Sequence, residues 1–152
     1  MKYLATTLAA VLLAFGAGFG VAHLTAPAAA ASVPLTAQAV DVGALGYADM
    51  QAVAPNNPLH AKNFVSDDGA TVDVQMGPTI KHLHTNADEI QYIVEGTGTE
   101  WLGDKQVALK PGVMLLIPHN TPHGGIVETA GHIKIVAIHT PPLQAGETKP
   151  VP

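Results

Sequence analysis

The sequence predicts an all-β protein, an antiparallel β-barrel or sandwich, and three observations support this prediction. After residue 60, short runs rich in Val, Ile and Thr alternate with turn residues such as Gly, Asp, Asn and Pro. No stretch after residue 31 repeats apolar residues at the spacing of an amphipathic helix. Many short strands at regular intervals are typical of antiparallel barrels and sandwiches.

The chain length and composition predict one globular domain. The 152 residues match the usual size of a single domain, and 47% of them are hydrophobic while 12% are charged. We divide the chain into a signal peptide at 1–31, a linker or N-terminal arm at 32–60, a β-barrel at 61–143 and a Pro-rich tail at 144–152.

The first segment has the pattern of a secretory signal peptide. Lys2 precedes an apolar run, and Ala29 and Ala31 fit the small-x-small pattern that signal peptidase recognises. We expect cleavage after Ala31 and a periplasmic or secreted protein with no membrane attachment. The alternative is an uncleaved anchor, because the apolar run approaches the roughly 20 residues that span a bilayer. Pro27 and the Ala run after it favour cleavage.

Charge and cysteine content exclude two classes of function. The formal net charge is −5, all seven cationic residues are Lys, and no basic cluster is present. Nucleic acid binding depends on clustered Lys and Arg, so we expect no nucleic acid partner. Without cysteine the chain has neither disulfides nor thiolate metal ligands, which leaves His and carboxylates as the strong ligands.

The barrel segment contains a succession of strand-like runs. KNFVS and ATVDVQM flank Asp67-Asp68-Gly69, which predicts a hairpin. IKHLH, EIQYIVEG, TGTEWL and KQVALKPG follow, and Gly103-Asp104 predicts a tight turn between the last two. VMLLIP then leads to a turn at HNTPHGG and a closing strand, HIKIVAIH.

Four polar residues form a candidate metal site. His82 and His84 are two residues apart in an extended run, so strand alternation places both on one face. Glu89 begins the next run, and a turn at the polar break before it would return its carboxylate to that face. His123 lies in a later turn and would supply a fourth ligand. Three imidazoles and one carboxylate leave open positions on a metal that takes five or six ligands.

The spacing of these residues resembles the two motifs of the cupin superfamily. Gly77 and HLHTNADEIQYIVEG, ending at Gly96, are similar to the first motif. Gly112 with VMLLIPHNTPH, which contains Pro118 and His123, is similar to the second. The resemblance covers about residues 62 to 141. Seven positions match in order, so it is far more specific than two histidines alone.

The resemblance implies a cupin fold, which is a jelly roll or double-stranded β-helix, in a small single-domain protein. It places the metal ligands on His82, His84, Glu89 and His123. Three departures concern local turn shape. Asn120 replaces the Gly that commonly follows the Pro of the second motif, Gly77 lies one residue closer to the first His than usual, and Val127 stands where the second motif often has Asn. None of them removes a ligand.

The ligand types fit one divalent ion of copper, zinc, iron, manganese or nickel. A twin-arginine signal is impossible without Arg, so we expect the chain to cross the membrane unfolded and to take up its metal outside the cytoplasm. There the general affinity order favours copper and zinc.

Three functions remain open from the sequence. The first is a cupin metalloenzyme, dioxygenase-like or decarboxylase-like, that acts on a small organic acid or aromatic compound. HTNADEIQY looks like the corresponding segment of oxalate-decarboxylase-type cupins, but the absence of Arg disfavours a small dicarboxylate. The second is a non-catalytic periplasmic protein that binds a metal or a small ligand. The third is a structural protein stabilised by its metal.

An enzyme needs a proton-transfer group beside the metal ligands. Gln91, Tyr92 and His139 are the candidate catalytic residues, and His119 is better interpreted as a turn-stabilising residue. Edge-strand pairing also makes a homodimer a candidate assembly.

Overall fold

Among the residues that the structure describes, the chain forms nine strands and one short 3-10 turn. The structure is a computed structural model that describes residues 32–67 and 69–152; the predicted signal peptide and Asp68 lie outside the described residues. The 3-10 turn spans Tyr47–Asp49. The strands are β1 (Gln51–Ala52), β2 (His60–Ser66), β3 (Thr71–Met76), β4 (Lys81–His84), β5 (Asp88–Leu102), β6 (Lys105–Leu109), β7 (Met114–Ile117), β8 (His123–Thr140) and β9 (Thr148–Pro150).

All of these strands belong to one curled antiparallel sheet. Its order is β1-β2-β3-β8-β4-β9, and β5 adds to β8 while also pairing with β6 and β7. Every pairing is antiparallel. The all-β barrel prediction is confirmed. In the same residues, 32–67 and 69–152, no helix has the length and apolar character needed to cross a membrane.

Both predicted hairpins are present. β2 and β3 end at the pair Ser66 and Thr71, and β5 and β6 meet at Leu102 and Lys105. The two runs EIQYIVEG and TGTEWL, predicted as separate strands, are one 15-residue strand, β5. It stays continuous because its register with β8 shifts four times between Ile93 and Trp101, and such bulges bend a strand without ending it.

The closing strand is also longer than predicted, which corrects the placement of His123. β8 begins at His123, so this residue is the first of a strand and not part of a turn. Gly124 and Gly125 follow it with φ of 84° and 63°, values that glycine adopts without strain. They let the chain enter β8 nine residues before the predicted HIKIVAIH.

The barrel interior is filled by an apolar cluster from β5 to β8. Its side chains alternate along each strand with outward-facing ones, as expected of a sheet with one buried face. The fully buried members are Ile93, Leu109, Leu115, Ile117, Ile126, Ile133, Ile135 and Ala137. This cluster closes one end of the interior and leaves the polar residues of β4, β5 and β8 at the other.

The N-terminal arm lies against the outer face of the barrel. Met50 is buried with Val74 and Met76 of β3, and Tyr47 of the arm packs beside them. The buried Lys134 of β8 donates from Nζ to the Gly43 carbonyl at 3.0 Å. The arm is therefore a layer of the folded domain.

The segment predicted as a Pro-rich tail contributes a strand. Within 144–152, Thr148–Pro150 forms β9 and pairs with β4, with Thr148 opposite His84 and Pro150 opposite His82. Val151 continues the contact by donating its amide to the Lys81 carbonyl at 3.1 Å. The C-terminus thus lies beside the strand that carries two of the predicted ligands.

Candidate metal centre

Four side chains from three strands meet at the polar end of the interior. We call His82, His84, Glu89 and His123 the His–Glu cluster. His82 and His84 share one face of β4, and His82 is directly opposite His123 of β8. One ligand atom from each of the four residues lies within 4.8 Å of the others. The predicted convergence of these side chains is present, and the cluster can hold a metal ion.

The imidazole rings of the cluster are oriented by hydrogen bonds on one nitrogen. The Nδ1 atoms contact neighbouring oxygens: Ile80 O at 2.8 Å for His82, Thr148 Oγ1 at 3.0 Å for His84 and Thr121 O at 2.9 Å for His123. Each ring therefore presents its Nε2 to the cluster. Such contacts fix the ring orientation and tautomer of metal-ligating histidines.

The atoms that face the centre of the cluster are buried and unsatisfied. His84 Nε2, His123 Nε2 and Glu89 Oε2 have no hydrogen-bond partner among the described residues. Glu89 Oε2 lies 3.2 Å from the first nitrogen and 2.8 Å from the second, but the orientations are not those of hydrogen bonds. Buried polar atoms are seldom left unpaired, and a cation between them would satisfy all three. The donor set fits a divalent ion.

The electrostatics of the cluster favour the ligand forms of His82 and Glu89 and the protonated form of His123. Burial lowers the pKa of His82 to about 4, so its ring is neutral at neutral pH. Burial by itself would raise the pKa of Glu89, but the neighbouring rings of His123, His139 and His84 hold it well below its usual value. Burial would also lower the pKa of His123, but Glu89 beside it raises that pKa. A metal ligated by His123 would displace the proton that Glu89 stabilises.

Two of the three candidate catalytic residues lie at the cluster. Gln91 is buried and donates from Nε2 to Glu89 Oε1 at 3.0 Å. His139 is buried, with Nε2 3.4 Å from the same oxygen. Tyr92 does not reach the cluster, which corrects that candidate: it alternates with Gln91 on β5 and is 41% exposed on the outer face.

His119, interpreted from the sequence as a turn-stabilising residue, does stabilise a turn. Its amide and its Nδ1 both contact Asp88 Oδ1 at 2.8 Å. The next residue, Asn120, adopts φ of 61°, a conformation that Asn tolerates better than other non-glycine residues. Its amide donates to the His84 carbonyl at 2.7 Å. The departure from the motif therefore preserves the turn and ties it to β4.

The interior holds two buried carboxyl groups that the sequence analysis did not single out. Asp73 of β3 and Glu100 of β5 are 7% and 0% exposed. Burial raises the pKa of Asp73 to about 6, opposed by His139, and that of Glu100 to about 7, opposed by His123. Alternation within ATVDVQM and TGTEWL could have placed both side chains inside. Glu147 and Thr148 were also missed, because the segment was interpreted as a tail.

Comparisons with known proteins agree with this architecture. A model of the cupin domain family matches residues 70–139. An uncharacterized protein of Methanocaldococcus jannaschii is 34% identical over 73 residues, which are 47% of this chain. The match spans 57% of the length of that relative.

Solved structures show the same fold at low sequence identity. A protein from Planctomyces limnophilus aligns with a TM-score of 0.57 and 18% identity, over 75% of this chain and 96% of that one. KdgF from Halomonas sp. aligns with a TM-score of 0.53 and 22% identity, over 62% of this chain and 89% of that one. Pac13, a Streptomyces protein described as a nucleoside dehydratase, aligns with a TM-score of 0.54 and 17% identity, over 62% of this chain and 78% of that one.

Proposed function

Because the chain belongs to the cupin superfamily, we propose that its His–Glu cluster holds one divalent transition metal and that the protein is a metalloenzyme. The proposed substrate is a small organic acid or aromatic compound, and the reaction is dioxygenase-like or decarboxylase-like. The observation that carries the metal site is the convergence of four ligand atoms within 4.8 Å of one another, three of which are buried without a hydrogen-bond partner among the described residues. We further propose copper or zinc, following the affinity order outside the cytoplasm.

A bound ion would supply Lewis acidity to an oxygen of the substrate. The protein residues would orient the ligands and limit the access of water. Gln91 holds Glu89 Oε1 and so fixes the orientation of that carboxylate. The buried apolar residues Ile117 and Ala137 lie opposite Glu89 and Gln91 on the neighbouring strands, so apolar side chains border the site and would limit the access of water to it. Both effects prepare the site before substrate arrives.

Proton transfer is the step that separates an enzyme from a binding protein, and two interior carboxyls support the enzyme. Glu100 has a pKa raised to about 7 by burial, so it can exchange a proton near neutral pH. Asp73, with a pKa raised to about 6 by burial, lies near His139. Pac13, a neighbour of the same fold, is described as a nucleoside dehydratase. It supports small-molecule chemistry in such a barrel.

The second candidate is a non-catalytic binding protein for a metal or a small ligand. Burial of the ligands favours it: His84, Glu89 and His123 are 4%, 3% and 1% exposed. A centre so enclosed suits tight retention of an ion as well as it suits catalysis. The two candidates differ in whether anything reacts at the metal.

Metal binding is tested by measuring occupancy in protein purified from the periplasm and by zinc titration. We expect one ion per chain, and we expect Glu89→Gln to bind zinc at least about 10-fold more weakly because the anionic ligand is lost. His119→Asn is the matched control, since His119 contacts Asp88 on the surface. Equal zinc affinity of wild type and Glu89→Gln would refute the proposed centre.

Catalysis is tested by screens for oxygen uptake and carbon dioxide release on small acids and catechols. We expect turnover by the wild type and none by His84→Ala. In Glu100→Gln we expect turnover to fall by about 100-fold or more while metal occupancy is unchanged, because general acid–base catalysis commonly contributes that much. A wild type that binds metal but matches His84→Ala across the screen would favour the binding protein.

We also propose that residues 1–31 direct export and that the mature protein is periplasmic or secreted. Cell fractionation followed by N-terminal sequencing should give a soluble chain that begins at Ser32. A full-length chain retained in the membrane fraction would support the anchor instead. The homodimer expected from edge strands stays a prediction, which light scattering of the mature protein checks.

A further inference from the structure

The C-terminal residues 144–150 hold the turn that joins the ligands His84 and Glu89. We call them the C-terminal clasp. Glu147 is 5% exposed, and its Oε1 accepts hydrogen bonds from the amides of Asn86, at 3.0 Å, and Ala87. The backbone carbonyl of Glu147 accepts from the Thr85 amide at 3.2 Å. One residue of the clasp thus satisfies three consecutive amides of the turn.

The clasp also reaches one of the ligands. Thr148 Oγ1 lies 3.0 Å from His84 Nδ1, and Thr148 is the register partner of His84 in the β4–β9 ladder. For His82 and His123, the oxygen that contacts Nδ1 is a backbone carbonyl two residues away in sequence. His84 instead depends on a side chain 64 residues away. Its ring orientation therefore requires the clasp to be in place.

The contacts of the clasp are directed to the ligand turn more than to the core. β9 lies at the end of the sheet order, and its three residues are all exposed. Its pairing with β4 is a ladder of three residue pairs. The buried side chain of the segment is the carboxylate of Glu147. Its Oε1 accepts hydrogen bonds from amides of the ligand turn, and its Oε2 accepts one from the Gln144 amide at 2.9 Å. Little apolar burial holds the clasp, so its docking depends on these polar contacts.

We propose that Glu147 and Thr148 are positioning residues for the metal ligands and that clasp docking and metal binding strengthen each other. The proposal rests on the metal site proposed above. If the docked clasp raises the affinity of the cluster for a metal, the metal must raise the stability of the docked clasp by the same factor. The C-terminal segment is then a coupled part of the metal centre, although it contributes no ligand.

The ligand side of this coupling is tested with Thr148→Val, which keeps the shape of the side chain and removes Oγ1. We expect its zinc dissociation constant to rise about 10-fold, as is usual when the hydrogen-bond partner of a ligating histidine is lost. Thr148→Ser restores a hydroxyl and should bind zinc as the wild type does. Two-dimensional ¹⁵N NMR of the histidine rings should show a mixed tautomer at His84 in Thr148→Val and one tautomer in Thr148→Ser.

The reciprocal side is tested by amide hydrogen exchange at Thr85, Asn86 and Ala87. Zinc should slow exchange at these amides in the wild type and should slow it less in Glu147→Gln, which keeps only one of the two side-chain oxygens that accept hydrogen bonds from backbone amides. The thermal unfolding of each metal-free variant shows whether it folds. If the wild type binds no zinc, the proposed metal site fails. If the wild type binds zinc and the folded variants bind it equally well, the site stands and the clasp proposal is refuted.

Discussion

At the scale of single residues, each histidine of the His–Glu cluster has a protein oxygen in contact with its Nδ1 and directs its Nε2 toward the other ligands. His82 and His123 have Nδ1 bonded to a backbone carbonyl and Nε2 directed to the cluster. The sequence was sufficient to predict these residues because strand alternation and motif spacing both point to them. It was not sufficient for Glu100, because a charged residue in a strand ordinarily faces solvent.

Glu100 should make the metal-free protein less stable as the pH rises. Its pKa is raised by burial from an ordinary 4.5 to about 7 in the folded protein. Stability from this group is complete below about 4.5, where both states carry the proton. It is lost as the pH rises toward 7, because the unfolded chain ionises first. The loss is roughly 3 kcal/mol for a shift of this size.

Glu100→Gln removes that titration while keeping the shape of the side chain. Urea unfolding of metal-free wild type and variant should show the variant gaining roughly 3 kcal/mol relative to the wild type between about pH 4.5 and pH 8. Groups that do not interact with Glu100 contribute equally to both proteins and cancel in the comparison, whereas the pKa of His123, which Glu100 raises, differs between them. A stability difference that stays constant across this range would contradict a raised pKa for Glu100.

At the scale of the elements, the approach of β4 to β8 depends on Gly124. A Cβ at this position would lie 2.6 Å from the Ile80 carbonyl and 3.0 Å from His82 Nδ1, and the backbone has φ of 84°. Gly112 has a similar φ of 88°, but no described atom lies within 4 Å of the corresponding Cβ position. Substituting alanine at the two glycines therefore separates the energetic cost of a left-handed backbone, common to both, from the cost of a steric clash, which arises at Gly124.

Gly112→Ala should destabilise the fold by about 1–2 kcal/mol, which is the cost of a left-handed alanine. Gly124→Ala should cost at least about 2 kcal/mol more, because it also forces β4 away from β8. The second variant should weaken zinc binding through displacement of His82, and the first should not. Thermal unfolding and zinc titration of both variants check this; similar values for the two would contradict the close approach at Gly124.

The sequence predicted the hairpins of the sheet better than the lengths of its strands. Asp67 and Gly103 belong to turns whose chemistry is local, so their positions could be inferred from a few letters. β5 and β8 continue through bulges, and a bulge looks like a strand end when only the local sequence is considered. The pairing of β9 with β4 depends on long-range register, which no local pattern specifies.

At the scale of the whole molecule, the arm and the barrel share a second apolar cluster on the outer face of the sheet. Met50 is 5% exposed there, whereas Val53, three residues later, is 49% exposed. The sequence predicted a linker or arm at 32–60 without indicating where it lies, because the apolar residues of this segment have no clear period. The structure places part of it on β3 and β8.

Met50→Ala should lower the stability of the entire domain by about 2–5 kcal/mol, as is usual for a buried methionine. Val53→Ala should change it by less than about 0.5 kcal/mol, because that side chain is half exposed. Trp101, the single tryptophan, lies in the barrel and reports unfolding by fluorescence. If Met50→Ala left the transition of Trp101 unchanged, the arm would not be part of the cooperative unit.

In the pairing of β5 with β8, Glu89 lies opposite His139 near one end and Leu102 lies opposite His123 at the other. Stretched out, that ribbon would separate its two ends by about 40 Å. Yet His123 at one end and His139 at the other lie 2.8 Å and 3.4 Å from the same carboxylate, that of Glu89. The two-stranded ribbon curls until its ends meet, and a cation bound there would connect them. Flattening the sheet would separate the ligands, so we expect the curvature of the sheet and the metal occupancy of the cluster to increase and decrease together.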